Sequence, residues 1–449
     1  MGMRTVRFVG AIAALAMVVT LAGCGGQKKA ASGVKGGPLE VGVLWDEGSP
    51  SYALVKEIGD QMEKDFPGTK VTYTFNNNAA RPALDTRAKA GNPLDIDCIF
   101  TATDPGTYSW ADGGYLLDIG PAMGEKRADG TTWKDDFNPL FLSSMAYKDK
   151  IYGAPTDVYL LLLHYNKKMF DELGLTPPKT WEELLSTCET IKQKGKGVAP
   201  IAVTGQVDFY AGMWWDYLVQ RMVGSAKAWD YLYGDKDAKI AEDADYLAAA
   251  REMKKLAEKG YLIDGWQGTD FTTSQIYFFQ GKAAMILMGS WLMTEMKDSI
   301  PADFQLAVAP FPSVAGGKGD QNGMFGKAAV WNVMAKSRNP ALATEFLRRF
   351  TGKDVGQKRS DRFSAITPLQ GVAAPKGLGG IDAALKDAAK AELTLYHFGM
   401  LTAQFGAKAA WYGPVVEMCT GKLSAQQALA KIDANIASVR AQRKAAAKP

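Results

Sequence analysis

The chain has 449 residues, enough for two or three domains with large hydrophobic cores. Hydrophobic residues make up 47% and charged residues 22%, which excludes disordered and fibrous classes, and the formal net charge of +4 indicates no nucleic-acid partner. There are 11 Trp, 17 Tyr and 19 Phe but only 2 His. This composition favours binding over catalysis, because aromatic faces line ligand pockets and His is the commonest acid–base and metal-binding side chain.

The first 23 residues have the pattern of a secretory signal. After two arginines, an uncharged run from Phe8 to Ala22 is too short for a transmembrane helix. The run ends in Leu21-Ala22-Gly23-Cys24, which resembles a bacterial lipobox, and the resemblance implies that Cys24 carries a diacylglyceryl group and becomes the N-terminus. Residues 24–38 then form a flexible Gly-rich tether. Because the signal contains two Arg and no acid, the mature charge falls to +2, and we expect an extracytoplasmic protein anchored to the bacterial membrane.

Three further cysteines, Cys98, Cys188 and Cys419, are far apart in the sequence. No CxxC or Cys/His spacing indicates zinc or redox chemistry. We expect all three to be buried as small apolar side chains. The sequence predicts no metal and no cofactor.

The predicted elements begin as alternating strands and helices. Strands are predicted over 39–45, 71–75 and 95–100, with helices over 52–66 and 79–90 between them, a doubly wound α/β pattern. A short strand begins at Tyr147 and leads into the run from Tyr159 to Tyr165. That run is almost wholly apolar, as in a central strand buried on both faces.

The same alternation continues through the second half of the chain. Thr180 and Glu183 form a predicted capping box, and Asn339 is a predicted N-cap followed by Pro340 at the first helical position. Further strands are predicted over 201–204, 281–289, 305–310 and 328–335, and helices over 210–223, 246–259, 273–280, 340–349 and 424–440.

Motifs of several enzyme classes are absent from the sequence. It contains no GxSxG nucleophile elbow, no Walker A loop and no HExxH. His164 and His397 are predicted in a strand and a helix, among apolar neighbours, and we expect both to be core residues rather than catalysts. Paired carboxylates of glycosidases have no fixed spacing, so a secreted glycoside hydrolase remains an alternative.

Four stretches carry a resemblance to a known family: residues 91–100, residues 165–170 with 177–184, residues 281–291, and residues 410–412 with 420–422 and 424–432. In order and spacing they resemble the extracellular solute-binding lipoproteins of ATP-binding-cassette (ABC) importers, in the carbohydrate group that includes the maltose-binding protein. The resemblance extends from about Leu39 to Arg440. Segment 354–410 aligns only loosely.

The resemblance implies a two-lobed periplasmic-binding-protein fold, α/β in class, with a hinge and an interlobe ligand cleft. Lobe one is then 39–153 with 325–372, and lobe two is 154–324 with 373–449. The protein is expected to be a monomer without catalytic residues. It would close on a mono- to oligosaccharide and deliver it to the membrane permease.

Ligands of open α/β sheets bind at the carboxyl ends of strands. Trp45, Asp46 and Glu47 follow the first predicted strand, and Asp104 follows the third. The resemblance matches Asp46 and Asp104 to carboxylates that bind sugar hydroxyls, and places Asp157 and Tyr159 at the first crossing between the lobes.

In lobe two the resemblance matches Asp208 and Tyr210 to an acid-then-aromatic pair, with Asp208 in place of the usual glutamate. Trp214 and Trp215 follow a turn later. Because they point about 100° apart, we expect only one of them at the cleft. Trp214 is the candidate, and which of the two faces the cleft stays open. The remaining aromatic candidates are Trp291, Phe325, Trp411 and Tyr412. Trp181 is assigned to packing.

Two further alternatives remain open. A non-sugar solute such as a phosphorylated polyol would need a cluster of cationic side chains, for which Arg81, Lys318 and Arg362 are candidates, although they are not clustered in the sequence. A sensor subunit that presents sugar to a membrane kinase would have the same sequence features.

Overall fold

A computed structural model describes residues 33–45, 47–76, 80–99, 110–143, 145–233, 238–376, 378, 395–397 and 408–446. The predicted signal and Cys24 lie outside these residues, as do the predicted site residues Asp46 and Asp104. None of the described helices is both long enough and apolar enough to cross a bilayer.

The strands and helices alternate as the hydrophobic pattern predicts. The strands are β1 (Pro38–Val43), β2 (Lys70–Phe75), β3 (Ile96–Ile99), β4 (Ala146–Tyr147), β5 (Lys150–Ile151), β6 (Ala154–Asn166), β7 (Ala199–Ala202), β8 (Ala283–Gly289), β9 (Leu306–Ala309), β10 (Met324–Val333) and β11 (Leu395–His397). The helices are α1 (Pro50–Asp65), α2 (Arg81–Lys89), α3 (Gly120–Met123), α4 (Pro139–Ser143), α5 (Lys167–Glu172), α6 (Trp181–Lys194), α7 (Asp208–Met222), α8 (Ser225–Tyr233), α9 (Ala244–Glu258), α10 (Phe271–Phe279), α11 (Leu292–Glu295), α12 (Pro340–Phe350), α13 (Lys353–Phe363), α14 (Lys408–Cys419) and α15 (Ala425–Ala446).

One sheet connects the two ends of the molecule. Its strands follow the order β2-β1-β3-β10-β6-β8-β7, with β11 beside β10 and β9 beside β6. Pairing is parallel between β1 and its neighbours β2 and β3, and between β7 and β8. The two long strands in the middle, β6 and β10, are antiparallel to each other. Residues 154–160 of β6 pair with β10, and residues 161–165 pair with β8.

Two large hydrophobic cores lie at opposite ends of these long strands. The first core contains side chains from β1, α1, β3, α12 and the end of β10. The second contains side chains from α6, α7, α9, β8, α14 and α15. Strand β10 contributes to both, because Phe325 packs in the second core and Trp331 in the first. A smaller cluster with Val158 and Ile366 lies where the chain passes between them.

Several local predictions are confirmed. The Thr180 hydroxyl accepts from the Glu183 N–H at 3.2 Å while the Glu183 carboxylate accepts from the Thr180 N–H at 3.4 Å, which completes the capping box of α6. Asn339 caps α12. Cys98, Cys188 and Cys419 are free and buried.

The predictions for the two histidines have different outcomes. His164 is fully buried in β6, where burial lowers its pKa to about 4 and its Nδ1 lies 3.0 Å from the Leu162 carbonyl oxygen, as expected of a core residue. The prediction of a helix around His397 is wrong, because this residue lies in β11, paired parallel with β10.

A buried carboxyl joins α7 to α14 in the second core. Oδ1 of Asp216 accepts from the Trp411 indole N–H at 2.9 Å, and Oδ2 accepts from the Tyr412 hydroxyl at 2.6 Å. Burial raises the pKa of Asp216 to about 7, although both hydrogen bonds favour the ionised form. The carboxyl supplies acceptors for two polar hydrogens that would otherwise be buried without partners.

Replacing Asp216 with Asn tests whether this carboxyl resists ionisation. As the pH rises from about 4 to about 7, the unfolded chain releases the Asp216 proton while the folded protein keeps it. The wild type therefore loses free energy of unfolding by up to about 1.4 kcal/mol per pH unit. The Asn amide does not ionise, so D216N should gain stability relative to the wild type over this range, and the difference should become constant above pH about 7.

Urea denaturation at about pH 4.5 and about pH 7.5 measures this difference. D303N, at an exposed carboxylate of the same half of the chain, is the control. A difference between wild type and D216N that does not change with pH would contradict the assignment.

Candidate ligand-binding site

A cavity of about 220 Å³ lies between the two cores. Trp45, two residues after β1, packs against the first core, and Trp291, two residues after β8, packs against the second. Both rings line the cavity. The lining residues are Trp45, Ser51, Asp157, Val158, Tyr159, Ser290, Trp291, Thr294, Arg359, Phe363, Ser364, Ala365 and Ile366.

A buried ion pair forms one wall of the cavity. Nη1 of Arg359, on α13, donates to both carboxylate oxygens of Asp157, on β6, at 2.8 Å each. Arg359 is 3% exposed and Asp157 4%. The guanidinium carbon also lies 4.3 Å from the ring centroid of Phe350 and 5.9 Å from that of Trp45. Nη1 bonds both carboxylate oxygens, while Nε has no hydrogen-bond partner among the described residues. The ion pair therefore uses only some of the five N–H donors of the guanidinium.

Aromatic rings make the opposite walls. Trp291 folds back over the end of β8, where a Cβ on Gly289 would come within about 2 Å of its ring, so a glycine is needed there. The ring meets Tyr159 edge-on, with centroids 6.2 Å apart. Burial raises the pKa of Tyr159, which keeps its hydroxyl protonated. On the other side, Trp45 stacks on the buried Trp331 at 6.1 Å.

The segment after α13 closes the rim. Ser364 has a left-handed backbone with φ of 51°, which turns the chain at the end of the helix. The Ile366 carbonyl then accepts from the Val158 N–H at 2.8 Å, which ties the segment to β6. From the other side, the Thr294 hydroxyl donates to the Phe363 carbonyl at 3.1 Å. The rim is therefore built from elements of both cores.

Comparison with known proteins identifies the family. Residues 45–357 match the family of bacterial extracellular solute-binding proteins, which covers more than half of the chain. The chain belongs to this family. The predicted family resemblance is confirmed.

Relatives of this solute-binding protein include two proteins named for sugars. The multiple sugar-binding protein of Streptococcus mutans is 25% identical over 322 residues, which cover 71% of this chain and 73% of that one. The diacetylchitobiose binding protein DasA of Streptomyces coelicolor is 27% identical over 356 residues, covering 76% and 77%. The structure is similar to that of apo RafE from Streptococcus pneumoniae, with a TM-score of 0.74 and 22% identity over 90% of this chain and 98% of that one. This similarity confirms the predicted two-lobed α/β fold.

The structure brings together only part of the predicted ligand-binding set. Trp45, Asp157, Tyr159 and Trp291 line the same cavity. Glu47 is exposed outside its lining. Arg359 was missed, because it lies among several cations in the loosely aligned segment and only its contacts distinguish it from them.

Four of the predicted ligand-binding aromatic residues lie inside the second core. Trp411 and Tyr412 are 0% exposed in the second core, and their polar groups are bonded to Asp216. Trp214 is buried with its ring edge-on to Phe311, and its neighbour Trp215 is buried as well. Phe325 is buried edge-on against Tyr217. None of these rings lines the cavity, because each fills space inside the second core.

The predicted acid-then-aromatic pair lies at the start of α7. Asp208 is its first residue and is partly buried. Tyr210 is also partly buried and stacks on Phe271, with ring centroids 4.5 Å apart and 26° between the planes. Neither residue lines the cavity.

The cations considered for a phosphorylated ligand are bonded to carboxylates elsewhere. Arg81 lies 2.8 Å from Asp97, Arg362 lies 3.2 Å from Glu57, and Lys318 lies 2.7 Å from Asp245. None of the three lines the cavity. A cationic cluster for phosphate is therefore absent from its described lining.

Breaking the ion pair of Asp157 and Arg359 should be costly. Asp157→Asn leaves a buried guanidinium without its counter-charge, and we expect a loss of about 3–5 kcal/mol in the free energy of unfolding. The double variant D157N/R359M should lose much less than the sum of the two single changes. Urea denaturation of the four proteins measures the coupling energy.

The exposed pair of Lys56 and Asp60 provides the matched control. Its atoms are 2.7 Å apart, as close as those of the buried pair, but both side chains are about half exposed. Coupling there should stay below about 0.5 kcal/mol. Equal coupling energies for the exposed pair and the buried pair would mean that burial does not strengthen the pair at the cavity.

Proposed function

We propose that this protein binds a carbohydrate in the cavity between its two lobes and delivers it to the permease subunits of an ABC importer. The observation that carries the proposal is a cavity with a tryptophan from each core, Trp45 and Trp291, beside the polar groups of Asp157, Tyr159 and Arg359. The C–H face of a sugar packs on aromatic rings, while its hydroxyls need fixed polar partners. The sugar-binding relatives support the ligand class.

The proposed mechanism is closure of the two lobes about the sugar. The lobes are 39–153 with 325–372, and 154–324 with 373–449, although the core position of Phe325 argues for a boundary later in β10. Among the described residues, β6, β10 and the segment after α13 cross between the cores, and they are the candidate hinge. The closed monomer would be recognised by the permease and would need no cofactor.

We further propose that Cys24 anchors the protein outside the cell. A diacylglyceryl thioether and a second acyl chain would make membrane attachment stable. Cys24→Ser should move the protein from the detergent phase to the aqueous phase in a detergent partition of whole cells.

Sugar binding should stabilise the folded protein. At a free ligand concentration about 100 times Kd, binding adds about 2.7 kcal/mol to the free energy of unfolding, which raises the Tm. A thermal-shift screen over mono- and oligosaccharides measures this. A rise in Tm with an amino acid, peptide, polyamine or metal, but with no sugar, would contradict the ligand class. In a separate assay, release of reducing ends from labelled oligosaccharides would overturn the proposal of binding without catalysis.

Trp291 should contribute more to sugar affinity than to stability. Trp291→Ala removes an aromatic wall, and we expect the Kd to rise about thirtyfold, as for aromatic hot spots, with a cooperative unfolding transition retained. Gly289→Ala keeps the ring but forces it off the end of β8, and should weaken binding in the same direction.

Isothermal titration with the sugar found in the screen measures the two affinities. Trp229→Ala, at a 36% exposed tryptophan on α8, is the control and should leave the Kd unchanged. Collapse of the fold in W291A together with normal binding by G289A would show that Trp291 acts in packing only.

A further inference from the structure

The described lining of the cavity carries two formal charges, and they cancel. Asp157 and Arg359 are the charged side chains among these lining residues, and the other polar side-chain groups there are hydroxyls of Ser, Thr and Tyr. Both members of the pair are almost inaccessible to solvent, with exposed fractions of 4% and 3%. Since water screens buried charges poorly, the charge that a ligand meets at this wall is set by the pair itself.

The Arg359 side chain on its own has the features of an anion receptor. Its hydrogen bonds to described residues use one of the three guanidinium nitrogens, Nη1, and both of these bonds go to Asp157. The planar group is also packed against the rings of Phe350 and Trp45. A guanidinium held in this way matches the geometry of a carboxylate, to which it can donate two parallel hydrogen bonds. The wall therefore contains an anion site that the carboxylate of the protein itself already fills.

Asp157 is held in front of Arg359 by its own strand. It pairs with Ala329 of β10, and the register between the two strands shifts at the preceding residue, Thr156, as in a β-bulge. The Thr156 hydroxyl lies 3.4 Å from Oδ2 of Asp157 and 3.4 Å from the Ala329 carbonyl oxygen. Adjacent side chains of a regular strand point to opposite faces, so it is the bulge that lets these two neighbours meet. The position of the carboxylate is thus fixed by β6 as well as by the guanidinium.

An anionic ligand would have to compete with Asp157 for the guanidinium. The carboxylate of such a ligand would lie beside that of Asp157 in a poorly hydrated site, where like charges repel strongly. A neutral saccharide meets no such penalty, because its hydroxyls can donate to the Asp157 oxygens and accept from Arg359. Discrimination of this kind comes from repulsion of the wrong ligand rather than from added attraction for the right one.

We propose that Asp157 is a specificity-determining residue that restricts the cavity to neutral saccharides and excludes acidic ones such as uronic acids. This inference rests on the proposed function and narrows its substrate class. Asp157 excludes the acid by filling the anion site of Arg359. A neutral side chain in its place converts the same wall into a binding site for a sugar carboxylate.

The test uses pairs of sugars that differ by one ionised group. The pairs are galactose with galacturonate, glucose with glucuronate, and the best sugar of the thermal-shift screen with its own singly oxidised uronate. Calorimetric titration into the full-length protein at neutral pH measures each affinity. The wild type should bind the neutral member of its preferred pair at least about a hundredfold more tightly than the acid, because like-charge contacts are strongly unfavourable. Asp157→Asn should bind the uronate at least about tenfold more tightly than the wild type does, because the repulsion is removed.

Three variants serve as controls. D157E keeps the charge and should keep the preference of the wild type. D157N/R359M lacks the guanidinium and should lose the gain in uronate affinity. D303N removes an exposed carboxylate away from the cavity lining, and should leave the preference unchanged.

Thermal unfolding with each sugar present allows for the lower stability of D157N. The uronate supplies the missing counter-charge of Arg359, so it should raise the Tm of D157N more than that of the wild type. If D157N shows no cooperative transition in buffer alone, the uronate should restore one. Failure of the uronate to stabilise D157N would overturn the proposal.

The titrations have further outcomes that would overturn the role of Asp157 while leaving sugar binding intact. One is equal affinity of the wild type for the neutral and the acidic member of a pair, and another is an unchanged preference in D157N. A gain in uronate affinity that persists in D157N/R359M, or that also appears in D303N, would place the acid away from Arg359. Absence of binding by every saccharide would instead overturn the proposed function.

Discussion

The architecture depends on two strands that belong to both halves of the molecule. Along β6 the pairing partner changes from β10 to β8 near Leu160, and along β10 the packed core changes between Phe325 and Trp331. Because a continuous hydrogen-bonded ladder crosses from one core to the other, the halves are connected by paired backbone rather than by a flexible linker. The cavity lies where these strands cross, so the lining residues of β6 are fixed by the ladder itself.

Charge at this crossing is balanced locally. Asp157 on β6 and Arg359 on α13 neutralise each other in a nearly water-free position, 202 residues apart in the chain. A buried pair of this kind adds little net stability, because desolvating two ions offsets much of their attraction. Its physical effect is geometric: it fixes α13 against β6 and leaves the cavity wall polar but without net charge. A wall of this kind suits a neutral, hydroxyl-rich solute better than an anion.

Local pairing of buried polar groups also explains two aromatic residues of the second core. Trp411 and Tyr412 each bury a polar hydrogen, and the carboxyl of Asp216 accepts both. Since neither donor remains free, these rings serve to pack α14 on α7. Tyr210 and Phe271 differ because they lie at helix starts and stay partly exposed.

The sequence by itself determined the features that depend on neighbours along the chain. Apolar alternation located the strands, the Thr180 and Glu183 spacing located the start of α6, and strand ends located Trp45 and Trp291 at the cavity. Family resemblance added Asp157 and Tyr159. Only the tertiary structure decided where the side chains of four aromatic residues pack, namely Trp214, Phe325, Trp411 and Tyr412. It alone also decided the role of Arg359. An aromatic or cationic residue has the same local pattern in a core, at a cleft or on a surface. Its environment is set by partners such as Asp216 and Asp157, which lie about 200 residues away in the chain.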